Sequence, residues 1–173
     1  MTPISVEEFS AFLRQHSISR ASHEIGIGSQ LTSDRHHRRI VTIHFAENEP
    51  RDYVTRILNT LFNLEPSWII FPRYGSVQSF AAYPLLNSSV AATFSANDLK
   101  GIVEHMVSIQ ETNKVIEHDP YFLGSSGEII ATWDHHVFSD GFSVMFSDIA
   151  KSTLFISLLN EIGAEFEMYF ANA

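Results

Sequence analysis

Apolar positions recur along the chain with two different periods, and the changes from one to the other mark the elements. Val6, Phe9, Phe12 and Leu13 fall on one helical face. Ser5 and Glu8 stand at capping-box spacing just before them, with Ile4 and Phe9 placed as a hydrophobic staple. The same period returns in Tyr53, Val54, Ile57, Leu58 and Leu61, after a proline at position 50 that the first turn of a helix tolerates. A third helix opens at Ser95 and Asp98 and carries Leu99, Ile102, Val103, Met106 and Val107 inward. A fourth is expected over residues 148–162, stopped by Gly163.

Between these segments the pattern shortens to the alternation and β-branched runs of strands. RRIVTIHF (38–45), SWIIFP (67–72), SVQSFAAY (76–83) and SVAATFS (89–95) read this way. The polar, glycine-containing stretch 19–34 reads as loop. The last third is the clearest: PYFLG, a turn at SSG, EIIATWDHHVF, a turn at SDG, and FSVMFS form a meander. A helix follows, and then AEFEMYF, alternating Phe166, Met168 and Phe170 with Glu165, Glu167 and Tyr169. The pattern predicts one α+β domain over residues 1–173. It has a largely antiparallel sheet of about six strands and about four helices, and it closes with meander, helix and strand.

Strand periodicity also divides the densest polar stretch, TWDHHVFSDG. With Asp140 and Gly141 as a two-residue hairpin turn, Val137 pairs with Val144 and His135 with Phe146. Trp133, His135, Phe142, Val144 and Phe146 then face the core, and Asp134 and His136 face away. A three-residue turn at Ser125, Ser126 and Gly127 would place His118 opposite Asp134. His118, Asp134 and His136 would then form a set of two imidazoles and a carboxylate suited to zinc or non-haem iron.

Composition narrows the functional classes. The 173 residues include no Cys, which excludes disulfide frameworks and cysteine-ligated metals. No run approaches the ~18 apolar residues of a membrane helix, and the start lacks the basic and apolar regions of a secretory signal. The cytoplasm is the expected compartment. Residues 1–73 hold all eight Arg against eight acids, whereas the remaining hundred hold three Lys against twelve acids, which gives the net charge of −9. Such a surface repels nucleic acid and favours encounter with a basic protein.

Two further clusters are candidate anchors. Arg35, Arg38 and Arg39, with His36 and His37, could grip a phosphate or a carboxylate. Arg73 and Tyr74, beyond a buried strand and Pro72, have the chemistry of interface hot spots. No G-x-S-x-G, H-E-x-x-H or Ser/Lys nucleophile signature is present, and GIGSQ (26–30) lacks the third Gly and the Lys of a phosphate loop. The expected function is therefore a non-catalytic interaction module, immunity- or inhibitor-like, with an acidic C-terminal half that binds a basic partner and needs no cofactor. Two alternatives are a metal-dependent enzyme using His118, Asp134 and His136, and a small-molecule-binding domain that uses the 14 Phe to line a pocket.

Overall fold

A computed structural model describes residues 1–22, 29–36, 39–45, 50–72, 91–112, 120–134 and 141–170. In chain order the elements are β1 (Thr2–Ile4), α1 (Val6–Gln15), β2 (Ser19–Ser22), β3 (Ser29–Thr32), β4 (Ile40–His44), α2 (Arg51–Phe62) and β5 (Ser67–Pro72). They continue with β6 (Ala91–Ser95), α3 (Leu99–Thr112), β7 (Pro120–Gly124), β8 (Ile129–Asp134), β9 (Gly141–Phe146), α4 (Ile149–Glu161) and β10 (Phe166–Tyr169). Eight strands form one antiparallel sheet in the order β1-β6-β5-β7-β8-β9-β4-β10, and β2 and β3 form a separate hairpin. The fold is α+β, with the expected meander at the centre of the sheet.

The helices begin where their caps dictate. Ser5 Oγ accepts from Glu8 N at 3.1 Å, and Glu8 Oε2 accepts from Ser5 N at 2.7 Å, the reciprocal capping box. Asp98 Oδ2 accepts from Ser95 N at 3.1 Å ahead of α3, and Asp148 Oδ1 caps α4 by accepting from Lys151 N at 2.9 Å. Helix α4 ends at Gly163, whose φ of +70° is the left-handed conformation of a C′ residue.

The sheet is buried on both faces. On one, α2, α3 and α4 cover Ile43, Ile70, Phe122, Ala131, Trp133, Phe142, Val144 and Phe146. Phe62 packs edge-on against Trp68, Phe94 and Phe122, and the Trp68 indole donates to Phe62 O at 2.9 Å, satisfying its one polar atom. On the other face, Phe9 and Leu13 of α1 and Leu31 of β3 cover Ile69, Phe71, Tyr121, Leu123 and Ile130. The β2–β3 hairpin replaces the loop expected there. Its strands are four residues long with a single strongly apolar position, Leu31, too little alternation to mark a strand in sequence.

Both turns of the meander differ from expectation. Phe142 pairs with Trp133 and Phe146 with Ile129, six residues away from the expected register. The full length of β9 therefore lies along the full length of β8. A two-residue turn at 140–141 would have left Ile129, Ile130 and Ala131 without a neighbour on that side. Because six is even, the inward assignment of Trp133, Phe142, Val144 and Phe146 survives the shift. Phe122 pairs with Ala131, one residue from expectation, so the turn spans 125–128 and the pairing expected to set His118 opposite Asp134 is not the one observed. The additional residue is Glu128, whose carbonyl accepts from Ser147 N at 3.0 Å.

Gly127 in this turn has φ +72°, and a Cβ there would lie 2.0 Å from His16 Nδ1. Gly163 shares the positive φ but has open space around it. Gly163→Ala should cost about 1–2 kcal/mol, the strain of the left-handed conformation alone. Gly127→Ala should cost at least about 2 kcal/mol more, because the His16 ring must also move. Urea denaturation of both variants checks this, and equal losses would contradict the packing assigned to His16.

Candidate functional site

Carboxylates, an amine and hydroxyls meet at the β7–β8 turn. Glu65, in the α2–β5 connection, lies over Gly124 so closely that a Cβ there would stand 2.8 Å from its Cγ. Its side chain is 2% exposed. Its carboxylate accepts from Ser126 Oγ at 2.5 Å, Ser126 N at 3.3 Å and Ser125 Oγ at 3.3 Å, and pairs with the Lys151 ammonium. Lys151 Nζ also lies 2.6 Å from Glu128 Oε2 and donates to Ser126 Oγ at 3.0 Å. From the opposite side, His36, itself buried, has Nε2 2.9 Å from Gly127 O.

The Ser126–Lys151 contact has the geometry of a nucleophile and its base, but catalysis would require a neutral amine. Burial disfavours the Lys151 charge. Hydrogen bonds and charge from Glu128 and Glu65 outweigh that effect, so its pKa lies above the ordinary lysine value. Burial likewise works to raise the Glu65 pKa, and the Lys151 and Ser126 hydrogen bonds overcome it and hold the carboxyl below the ordinary glutamate value. Ser126 Oγ meanwhile directs its proton to Glu65. The group is a closed ion-pair network with its charges fixed, and it serves as a clamp between α4, the β7–β8 turn and the α2–β5 connection.

Of the residues expected at sites, Arg35, Arg39 and Asp134 lie among the described residues. Arg35 is exposed in the turn before β4. Arg39 is half-buried, donates from Nη1 to Ser152 Oγ at 3.3 Å and lies 5.9 Å from the Phe170 ring centroid, a cation–π contact. Asp134 ends β8 opposite Gly141. Arg38, Arg73, Tyr74, His118, His135 and His136 lie outside the described residues. Among the described residues no three His, Asp or Glu side chains form a metal-sized group. None of their helices is long and apolar enough to cross a membrane. Among the described residues many aromatic side chains pack on one another. A cleft of about 230 Å³ reaches Phe62, Trp68 and Phe94, and an open groove of about 450 Å³ between α2 and α3 is lined by both charge signs, including Arg51, Asp52, Lys100 and Glu104.

Among the described residues, the end of α4 with β10 forms an acidic stretch, with His44 Nε2 3.8 Å from Glu167 Oε2. Glu161, Glu165 and Glu167 are exposed, and residues 152–170 contain no Lys or Arg. Glu161 stands at the C-terminus of α4, where the helix dipole opposes a negative charge. Glu167 accepts from the Tyr169 hydroxyl, and this carboxylate holds the Tyr169 pKa above the ordinary tyrosine value. Beside them Met168, Tyr169 and Phe170 are each about half exposed. Compared with known proteins, the chain matches no family model, no curated protein and no solved structure.

Sequence reasoning missed the Glu65 clamp, because its partners are 61 and 86 residues away and no local spacing joins them. The one legible signal was the SSG turn itself. With its folded pKa lowered, Glu65 contributes stability that is full above about pH 4.5 and is lost as pH falls through the folded pKa. Lys151, with a raised pKa, contributes below about pH 10.5 and loses that contribution as pH rises through its folded value. Lys151→Met strands the buried carboxylate and should cost about 3–5 kcal/mol at pH 7. In the variant, burial raises the Glu65 pKa, so the stability gap to the parent protein should narrow as pH falls from 7 to 4. Chemical denaturation across that range measures it, and a gap that stays constant would contradict the ionised pair.

Proposed function

We propose that the chain is a non-catalytic binding protein of the cytoplasm, immunity- or inhibitor-like, whose acidic C-terminal half engages a basic protein partner. The observation that carries this reading is the exposed carboxylate series Glu161, Glu165 and Glu167, on a surface stretch with no Lys or Arg of its own. A carboxylate at the negative end of α4 costs a few tenths of a kcal/mol rather than stabilising the helix. Its placement there suits recognition better than folding. Clustered charge of one sign accelerates encounter with a complementary surface and excludes like-charged competitors. The one described amine–hydroxyl pair, Lys151 with Ser126, is committed to the clamp, which also favours binding over chemistry.

Immobilised protein, washed with extract of its source cells and eluted with salt, tests this directly. A partner with pI above about 9 should be retained at low ionic strength and released as screening rises toward about 0.5 M salt. It should be absent from the eluate of a Glu161→Lys, Glu165→Lys, Glu167→Lys variant of equal thermal stability. Retention of nothing, or equal retention by the variant, would overturn the proposal.

A further inference from the structure

The two edges of the eight-stranded sheet differ in kind. β1 is three residues long and carries Pro3 at its centre, which has no N–H to offer a further strand. At the opposite edge β10 pairs with β4 on one side, and among the described residues nothing pairs with its outer side. β10 is short and carries Glu167, but it lacks the other usual guards. It contains no Pro and no Lys, and it pairs with β4 in unbroken register from Phe166↔Ile43 to Tyr169↔Ile40, without a bulge. Such an edge presents backbone N–H and C=O groups that can accept another strand.

Its two faces differ in chemistry. Glu165, Glu167 and Tyr169 alternate with Phe166, Met168 and Phe170. The second set lies on the face where Val41, Ile43 and the helices sit. There Met168 and Phe170 border a shallow groove against Ile156 and Ser152 of α4, with Arg39 at its end. Met168 is 45% and Phe170 58% exposed, so an incoming apolar side chain would find partners already in place.

We infer that β10 is the docking edge for an extended segment of the basic partner, which adds as a ninth strand and alternates apolar with Lys or Arg side chains. Its basic residues fall beside Glu165 and Glu167, and its apolar residues continue the Val41–Met168 row toward α4. Main-chain hydrogen bonds provide the attachment and the alternation provides the selection. A second copy of this chain is disfavoured as the occupant, since it would bring its own Glu165 and Glu167 and a net charge of −9 to the same edge. The inference rests on the acidic-binding reading above and gives it a location and a sequence pattern.

The test uses the full chain and a synthetic eight-residue peptide alternating Lys and Val, with the same peptide N-methylated at every residue as control. Fluorescence anisotropy should show binding by the first peptide that weakens at least about tenfold for the methylated one, which keeps the charge and loses the N–H groups. Met168→Lys, at an exposed position, should weaken binding by about as much, and hydrogen exchange at residues 166–170 of the unmutated chain should slow when peptide is added. Equal binding of both peptides would overturn strand addition while leaving the acidic reading intact. Binding that ignores salt but not methylation would overturn the acidic reading and leave the strand. No binding of the Lys–Val peptide, or a dimer in sedimentation that Met168→Lys dissociates, would overturn the inference outright.

Discussion

The contact between Glu65 and Lys151 joins parts of the chain 86 residues apart and fixes how the helical layer sits on the sheet. Glu65 enters just after α2, Lys151 lies in the first turn of α4, and between them the 125–128 turn supplies Ser125, Ser126 and Glu128 as satisfying groups. A buried charge is tolerated only when its partner and its hydrogen bonds are complete, so three segments must arrive together. The turn takes one more residue than its sequence suggests, Glu128, whose carboxylate meets Lys151 while its carbonyl accepts from Ser147 N. On its other side the turn is closed by His16, which packs against Gly127, and by His36, bonded to Gly127 O.

With the turn held, the meander sets the rest of the sheet. β9 lies between β8 and β4, and β4 in turn carries β10. Phe142, Val144 and Phe146 face the helices on the side where Trp133 stacks on Phe45. The apolar burial is concentrated in the middle strands and on the flank that α1 and the β2–β3 hairpin cover. It thins toward β10, where Met168 and Phe170 are half exposed and Thr42 and Ser143 meet through their hydroxyls at 3.1 Å. The aromatic packing thus centres on the middle strands, and the exposed acidic residues lie at the β10 edge.

Much of this was legible in the residues. The helices were marked by caps and by a 3.6-residue period, and both signals are local: Ser5 with Glu8, and Val54, Ile57, Leu58 and Leu61 on one face. The inward facing of Trp133, Phe142, Val144 and Phe146 was also legible, because an even shift preserves parity; the register was not, because it depends on how much of β8 needs covering. The β2–β3 hairpin was hidden by its polar composition. Of the candidate binding residues, Arg39 was singled out for its charge, yet the structure gives it Ser152 and Phe170 as neighbours, residues over a hundred positions away. The clamp was illegible for the same reason. Long-range pairing between single charged residues leaves no periodic trace.

The clamp commits its carboxylates and its ammonium to one another. The central claim is that the Glu65 carboxyl stays ionised because Lys151 and Ser126 hold it so. The most direct test is an NMR pH titration that follows the Glu65 side-chain carboxyl carbon in the folded protein. A midpoint below the ordinary glutamate value of 4.5 is the predicted result. A midpoint above it would mean that burial dominates, and would contradict the clamp.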